Sequence, residues 1–516
     1  MRRLPAWSVA AALAALYLVL DPPSADLAAQ TYRTWLFEHA GWTVWDNGWY
    51  AGHHVPAYSI LFPPLAALLG PRLVGALAAV GAAWAFERLV DDARGAAARP
   101  AALWFAAGTA ASLVSGRLTF ALGLAFGVAA ALALARGRLA LAALAGAATA
   151  LASPVAAGFL ALALVAHGAV TRRLAPTAAL LAATLAPALA LMVLFPEGGD
   201  FPFVASAFWP SLAATLVVLF ALPPRERALR TGVALYALLL VASAALQTPM
   251  GGNAVRLGAI LAGPVAAYAL WPGQRRALLL LLLPLAYWQW TTPVDDWRRA
   301  AADPAVRASY YEGVLRFLGA QGGPPFRVEI PFTDDHWESA RVAGGPVPIP
   351  LARGWERQLD RKVNPLFYDD APLTAQRYRR WLDENAVRFV ALPDAPMDYS
   401  AAAEAALVRR GTPYLREVWH DAHWRVFAVA HPAPMAGGGA RVTALGADRV
   451  ALRAPRAGRY VVRVRWTPYW RIARGAGCVE PAGDWTALRL RTGGPVELQA
   501  GFALSRVRAS SPRCTG

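Results

Sequence analysis

The chain has 516 residues, of which 57% are hydrophobic and only 16% are charged. Soluble domains are about 45–50% apolar and about 25% charged, so this composition excludes an entirely soluble protein. The long apolar runs lie within residues 5–291, which excludes a wholly embedded channel. With 20 Trp, 15 Tyr and 19 Phe, the chain is too aromatic to be intrinsically disordered.

The net charge of +17 does not indicate a nucleic-acid partner. Basic residues form short clusters between apolar segments, or are mixed with acids in the C-terminal part, and no basic stripe is present. We therefore predict that the chain binds membrane lipid and no nucleic acid.

Eleven apolar runs, bounded by charged residues or by Pro and Gly, have the character of membrane-spanning helices. They lie near residues 5–20, 71–90, 100–114, 118–135, 139–152, 155–171, 174–195, 208–222, 230–246, 257–271 and 277–291. The predicted fold of residues 1–291 is an α-helical multi-pass membrane domain of about eleven helices, with a long first outer loop at 21–70.

Arginine is distributed unequally between alternate loops. One set of loops holds fourteen: Arg2, Arg3, Arg88, Arg94, Arg99, Arg136, Arg138, Arg172, Arg173, Arg225, Arg227, Arg230, Arg275 and Arg276. The other set holds only Arg33, Arg72, Arg117 and Arg256. The positive-inside rule then places the N-terminus in the cytoplasm, and an odd number of spans in the plasma (inner) membrane places residues 292–516 outside.

The first outer loop carries a helical pattern over residues 25–39 and four tryptophans suited to a membrane–water boundary. We expect a helix that lies on the outer surface. The loop also holds a dense set of proton-transfer groups: Asp21, Asp26, Glu38, His39, Asp46, His53 and His54. Loops longer than about 12–15 residues are usually functional, so these side chains are candidates for a site.

The C-terminal part changes in character after residue 292. Residues 292–435 mix strand-like and helix-like segments, which predicts an extracytoplasmic α/β domain. After a Pro/Gly-rich linker at 432–439, residues 440–516 form short alternating runs that predict a small extracytoplasmic β-sandwich.

Two features of this part bear on function and stability. Trp355, Gln358 and Asp360 combine ring, amide and charge after a Gly/Pro-rich loop, which suits contact with a carbohydrate acceptor; the alternative is a solvated helix start with surface ion pairs. Cys478 and Cys514, the two cysteines of the chain, are expected to form a disulfide if this end is outside the cytoplasm, and to be ordinary thiols if it is inside.

The first loop resembles the GT-C superfamily of multi-pass glycosyltransferases, which take sugars from polyprenyl-phosphate carriers. The matching stretches run from Ser24-Ala25-Asp26-Leu27 to Gly41, and then through Phe62-Pro63-Pro64-Leu65 into the second span. Many members carry paired acids at the first stretch, whereas this chain has Asp26-Leu27. Thr467-Pro468-Tyr469-Trp470 also resembles a strand-end motif in the outer domains of YfhO-like membrane proteins, which are themselves GT-C-like.

The resemblance implies an inverting transfer of a sugar from a polyprenyl-phosphate carrier to an envelope glycan or glycolipid acceptor. Asp26 would be the general base, which must lie within hydrogen-bond reach of the acceptor hydroxyl. Arg117 and Arg256 are the outer cations available to bind the phosphate. Asp46, His53 and His54 would contact the substrate. No metal ligands are assigned, and a divalent metal ion is left open as a cofactor.

Each of these residues also has a structural interpretation. Asp26 can complement the positive end of a helix that Ser24 caps, the loop residues can form an interfacial polar turn, and the two arginines can contact lipid phosphate or cap helices. The competing function is a non-catalytic scaffold or transporter-like protein for envelope polymers. The two functions differ in whether Asp26 and at least one outer arginine converge on one cavity at the outer membrane surface.

The topology makes a testable prediction. A reporter that is active only in the cytoplasm should be silent when fused after Gly516 and active when fused after Arg276, because the predicted spans put these positions on opposite sides of the membrane. Strong activity from the Gly516 fusion would contradict the topology.

Overall fold

The structure, a computed structural model, describes residues 4–507 and 514, so Arg2 and Arg3 lie outside the described residues. The chain divides into two compact units. The first consists of Met1–Gln30 and Ala57–Ala301, and the second consists of Thr31–Pro56 and Ala302–Gly516. The first outer loop therefore contributes to both units.

The first unit is built from helices because its sequence is long runs of Ala, Leu and Val between short polar loops. Helix α2 continues from this unit into the second. The helices are α1 (Trp7–Leu20), α2 (Ala25–Ala40), α3 (Phe62–Leu69), α4 (Pro71–Arg94), α5 (Arg99–Val114), α6 (Leu118–Ala135), α7 (Leu139–Ala152), α8 (Pro154–Thr171), α9 (Leu174–Leu194), α10 (Ala205–Ala221), α11 (Arg227–Ala245), α12 (Val255–Leu270) and α13 (Arg275–Ala302), with 3₁₀ turns at Gly95–Ala98 and Gly251–Ala254.

Each of the eleven predicted apolar segments coincides with one of these helices. Within the described residues, seven helical stretches are long and apolar enough to cross a membrane, or eight if α1 and α2, which are bent by 78°, count as one. Pro71–Val114 counts there as one stretch, although it contains both α4 and α5. The chain thus has the long apolar helices of a membrane protein, while the number eleven stays a prediction.

Small residues allow these helices to approach closely. A Cβ atom added at Gly123 of α6 would lie 2.8 Å from the Cβ atoms of Ser153 and Ala156, so α6 and α8 meet where no side chain fits. The Phe86 and Phe105 rings stack at 4.1 Å between α4 and α5. This packing fixes the position of α6, which directly follows the candidate site residue Arg117.

The second unit contains a four-stranded mixed sheet with strand order β3-β4-β6-β5. β3 and β4 are parallel, and the other neighbours are antiparallel. Helices and 3₁₀ turns connect and cover the strands. These elements are β3 (Arg327–Glu329), β4 (Val387–Pro393), β5 (Leu415–His420), β6 (Trp424–Val429), α14 (Glu312–Gly319), α15 (Glu338–Arg341), α16 (Arg357–Val363), α17 (Ala375–Glu384) and α18 (Ala402–Arg410), with 3₁₀ turns at Pro304–Val306, Ala308–Tyr311 and Pro365–Phe367.

The C-terminal strands form two further antiparallel sheets, of four strands in the order β10-β13-β8-β7 and of three in the order β11-β12-β9. Alternating side chains of both sheets, such as Val450, Leu452, Val462 and Leu488, lie in one buried core. The strands are β7 (Arg441–Leu445), β8 (Arg449–Ala454), β9 (Gly458–Arg465), β10 (Trp470–Arg474), β11 (Gly477–Ala482), β12 (Trp485–Leu490) and β13 (Gly494–Ala500), followed by α19 (Leu504–Val507).

The second half of the first outer loop packs into this unit. It forms a short hairpin of β1 (Trp45–Asp46) and β2 (His53–His54). Trp45 and Trp49 are 2% and 0% exposed, because the loop backbone hydrogen-bonds along the C-terminal part, for example from Leu351 N to Gly48 O at 2.8 Å. The expected place of these two tryptophans at a membrane boundary is therefore wrong.

Cys478 and Cys514 are joined by a disulfide, so that part of the sequence prediction is confirmed. The bond ties strand β11 to the end of the chain. A disulfide persists in oxidising compartments, which is consistent with the predicted location of this end outside the cytoplasm.

A buried acid in the second unit makes stability depend on pH. Glu338 is 1% exposed and accepts a hydrogen bond of 2.6 Å from the Thr333 hydroxyl. Burial is the main cause that raises the pKa of Glu338 from 4.5 to about 8, and the nearby Asp303 raises it further. The carboxyl group is therefore protonated in the folded protein at neutral pH.

We predict that Glu338→Gln stabilises the protein at high pH. Since the folded pKa is raised, the protonated acid favours folding most at low pH, and this contribution is lost as pH rises from 4.5 to about 8. The loss is roughly 1.4 kcal/mol for each unit of pKa difference. Thermal unfolding across this pH range should show a smaller slope for Glu338→Gln and an unchanged slope for the exposed control Glu384→Gln; equal slopes in all three proteins would contradict the prediction.

Candidate functional site

Asp26 lies in the first turn of α2, as the sequence predicts. Its Oδ2 atom is 3.4 Å from Arg117 Nε and 3.8 Å from Arg256 Nη2. These are ion-pair distances, longer than tight hydrogen bonds. All three side chains are 20–25% exposed, so they are open to a ligand. Asp26 and the two outer arginines are therefore close together, while a shared cavity at the outer membrane surface stays a prediction.

A tight turn between α5 and α6 positions Arg117. Helix α5 ends at Val114, and Gly116 adopts a left-handed conformation with φ of 71°, so the chain reverses at once into α6. A Cβ atom at Gly116 would lie 2.5 Å from Ser24 Oγ and 2.6 Å from Leu27 N. The turn therefore presses against the start of α2, which places Arg117 beside Asp26.

A second turn positions Arg256. The 3₁₀ turn Gly251–Ala254 leads directly into α12, so that Arg256 falls in the first turn of this helix. Its guanidinium lies 5.7 Å from the centre of the Phe120 ring, a cation–π contact that holds the side chain against α6. The two arginines thus approach Asp26 from different helices.

A second carboxylate, which was not among the residues predicted from the sequence, lies at this place. Asp296 Oδ2 lies 3.5 Å from Arg117 Nη2, and Asp296 Oδ1 accepts a hydrogen bond of 2.8 Å from Arg299. Both residues belong to α13, which continues to Ala302, whereas the predicted span ended at residue 291. The available signal was the pair Asp295-Asp296 directly after an apolar run.

Two buried hydroxyl groups lie in the turns that form the cluster. Ser24 and Ser115 are 0% and 2% exposed, and their Oγ atoms find no hydrogen-bond partner in residues 4–507 and 514. The structural interpretation of Asp26 supposed that Ser24 caps α2. The Ser24 side chain does not do so. Buried polar groups are normally paired, so these two hydroxyls are exceptions to that rule.

The structure places Asp46, His53 and His54 in the second unit, whereas Asp26 belongs to the first. They are only 1–6% exposed. Asp46 accepts hydrogen bonds from the Tyr32 hydroxyl at 2.8 Å and from Gly48 N at 2.9 Å, and His53 Nδ1 lies 3.8 Å from its Oδ2. Burial raises the pKa of the Asp46 carboxyl. This geometry favours a structural role for Asp46 and not the predicted contact with a substrate.

The β1–β2 hairpin, through His54 and Trp45, packs against the Thr467-to-Trp470 motif. His54 Nε2 and Thr467 Oγ1 share a hydrogen bond of 3.0 Å, and the Trp45 and Trp470 rings meet edge to face at 5.9 Å. The motif therefore anchors the β1–β2 hairpin within the second unit, which is a packing role.

Three residues were predicted to contact a carbohydrate acceptor. Trp355 and Gln358 are partly exposed, whereas Asp360 is buried and has a structural role. Asp360 is 0% exposed, and its carboxylate accepts hydrogen bonds from Arg353 and Tyr368 at 2.6 Å and from Asn364 at 2.8 Å. A carboxylate that has no exposed surface and already accepts hydrogen bonds from three side chains does not contact a carbohydrate. The predicted role of Asp360 is therefore wrong. For Trp355 and Gln358 it stays a prediction.

The charges around Asp26 do not fit a divalent cation. Both carboxylates are paired with guanidinium groups, and no group of three or more His, Cys, Asp or Glu side chains in the described parts of the chain is arranged to hold a metal ion. Two guanidinium groups, those of Arg117 and Arg256, instead converge on Asp26. Converging guanidinium groups are suited to bind an anion.

In comparisons with known proteins, no protein-family model and no curated protein matches this chain. The interpretation of the site therefore depends on its own geometry and chemistry.

We predict that Gly116→Ala displaces Arg117. The left-handed φ is strained for alanine, and the added Cβ would meet the backbone nitrogen of Leu27, so the turn must shift. We expect a loss of about 1–3 kcal/mol in unfolding free energy together with weaker protection of the α2 start in hydrogen exchange. Gly81→Ala, on α4 with open space at its Cβ, is the matched control; an equal effect of both changes would contradict this role of the turn.

Proposed function

We propose that this protein is a multi-pass glycosyltransferase of the plasma (inner) membrane, with about eleven spans and a cytoplasmic N-terminus. It transfers a sugar from a polyprenyl-phosphate carrier to an envelope glycan or glycolipid acceptor at the outer face, where the α/β and β-sandwich parts also lie. The observation that supports this most is the contact of Asp26 with Arg117 and Arg256.

The proposed chemistry assigns one task to each group. Asp26 accepts the proton of the acceptor hydroxyl as the new glycosidic bond forms, and one carboxylate is sufficient for a single inverting displacement. The bond from the anomeric carbon to the carrier phosphate breaks at the same time. Both arginines make their closest approach to Oδ2, so Oδ1 is the less crowded oxygen for the incoming proton.

The two arginines would stabilise the phosphate that leaves. Guanidinium groups bind phosphate oxygens in pairs and keep their charge in partly buried sites. Stabilisation of the departing charge is usually a large part of catalysis. The two guanidinium groups beside Asp26 suit this role, because one phosphate can accept hydrogen bonds from both of them.

The test is the effect of Asp26→Asn on transfer. Loss of a positioned base typically reduces the rate by about 10²–10⁴-fold, so lipid-linked sugars or envelope glycans should resemble those of cells without the gene. Arg117→Gln and Arg256→Gln should weaken use of the carrier. Membrane insertion and thermal unfolding of each variant are measured in parallel.

Glu38→Gln is the matched control, since Glu38 is an exposed acid on the same helix. It should leave the glycans unchanged. Normal glycans in Asp26→Asn cells would remove the proposed mechanism and favour the scaffold or transporter-like function.

A further inference from the structure

A pocket on the mixed sheet of the second unit has a different chemistry from the Asp26 cluster. It has a volume of about 330 Å³ and lies between the end of α14 and strands β4, β5 and β6. Volumes of about 300–1,000 Å³ are typical of small-molecule sites. Its size therefore suits a small ligand.

Cross-strand register shapes the floor of the pocket. Ala428 on β6 pairs with Phe389 on β4 and with Arg416 on β5, so the three side chains lie in a row on one face of the sheet. Because the Ala428 side chain is small, a gap remains between the Phe389 ring and the Arg416 guanidinium. Phe317 of α14 extends the apolar side, where its ring meets Phe389 edge to face at 6.1 Å.

The polar side of the pocket consists of two arginines. Arg388 is held in place by a hydrogen bond of 3.0 Å to Gly322 O and by the Phe326 and Phe389 rings, which lie 5.1 and 5.0 Å from its guanidinium carbon. The side chain of Arg416 is exposed and makes no hydrogen bond or ion pair with any described residue. The Arg388 guanidinium is thus held in place, and the Arg416 guanidinium is available to a ligand.

No carboxylate neutralises these charges within the pocket. None of its nine lining residues, all in the described part of the chain, is acidic. Glu417, the neighbour of Arg416 on β5, lies on the other face, where its carboxylate binds Arg425 at 2.5 Å. A β-bulge follows between Glu417 and Trp419 on this edge strand, and bulges often redirect side chains beside binding sites.

We infer that this pocket binds a small organic anion, with its carboxylate or phosphate on Arg388 and Arg416 and its apolar part against Phe317 and Phe389. Guanidinium groups bind both kinds of oxyanion through paired hydrogen bonds. The pocket lies in the second unit, and its occupancy does not depend on the transfer proposed for Asp26.

The test is isothermal titration calorimetry of the full-length protein in detergent micelles with phenyl phosphate, benzoate and inorganic phosphate. At least one aromatic anion should bind saturably and more tightly than inorganic phosphate. Tighter phenyl phosphate assigns the site to phosphate esters, and tighter benzoate assigns it to carboxylates. Arg388→Gln and Arg416→Gln should each weaken binding about tenfold or more.

Two further variants make the test specific. Arg409→Gln removes an exposed arginine of α18 that does not line the pocket, and it should leave binding unchanged. Ala428→Leu should abolish binding by filling the gap; if it does not fold, the exposed Arg416→Gln still decides the question. Absence of saturable binding, equal binding of inorganic phosphate, or an equal loss in Arg409→Gln would overturn the inference.

Discussion

Charge neutralisation is the constraint on which the first unit depends. An ion taken out of water into an apolar helical unit loses several kcal/mol of hydration, so it needs an opposite charge close by. Arg256, Asp26, Arg117 and Asp296 meet this need as an alternating series with closest distances of 3.4–3.8 Å. Because these residues come from α12, α2, the α5–α6 turn and α13, the same contacts that neutralise the charges also hold four parts of the unit together.

Another arginine of this unit shows what a fully satisfied cation looks like. Arg94 forms an ion pair with Glu226, donates a hydrogen bond of 2.7 Å to Tyr268 O and lies 4.0 Å from the Tyr268 ring centre. Its guanidinium thus has a carboxylate, a carbonyl oxygen and a ring as partners, while Glu226 also pairs with Arg225 at 3.4 Å. The Asp26 cluster instead has ion-pair distances of 3.4–3.8 Å, and its two arginines converge on one carboxylate oxygen, an arrangement that suits an anionic ligand.

The second unit also contains buried charges that must be neutralised. In its buried group, carboxylates outnumber guanidinium groups. Arg353 pairs with Asp360 at 2.6 Å and with Glu404 at 3.3 Å, and Glu329 lies in the same buried group. Three carboxylates surround one guanidinium, so two protons are needed to make the group neutral. Burial accordingly raises the pKa of Glu329 well above its usual value and also raises the pKa of Glu404. Within this group the Asp360 carboxylate already accepts hydrogen bonds from three side chains, which explains why it has no capacity left for an acceptor.

Local patterns of apolar and polar residues predict most helices and strands of the fold. They do not predict which polar residues share a site. Long apolar runs and alternating runs identify helices and strands because these signals lie within a few neighbouring residues. Burial of His54 depends on Thr467, 413 residues away, and burial of Asp46 depends on Tyr32 and the fold around it. Arg117 and Arg256 were identified because arginine is rare in the predicted outer loops of the membrane domain, and Asp26 was identified because its stretch of the first loop resembles the GT-C superfamily. The loop acids and histidines that pack into the second unit had many possible partners, and their sequence positions could not distinguish a structural contact from an exposed catalytic one.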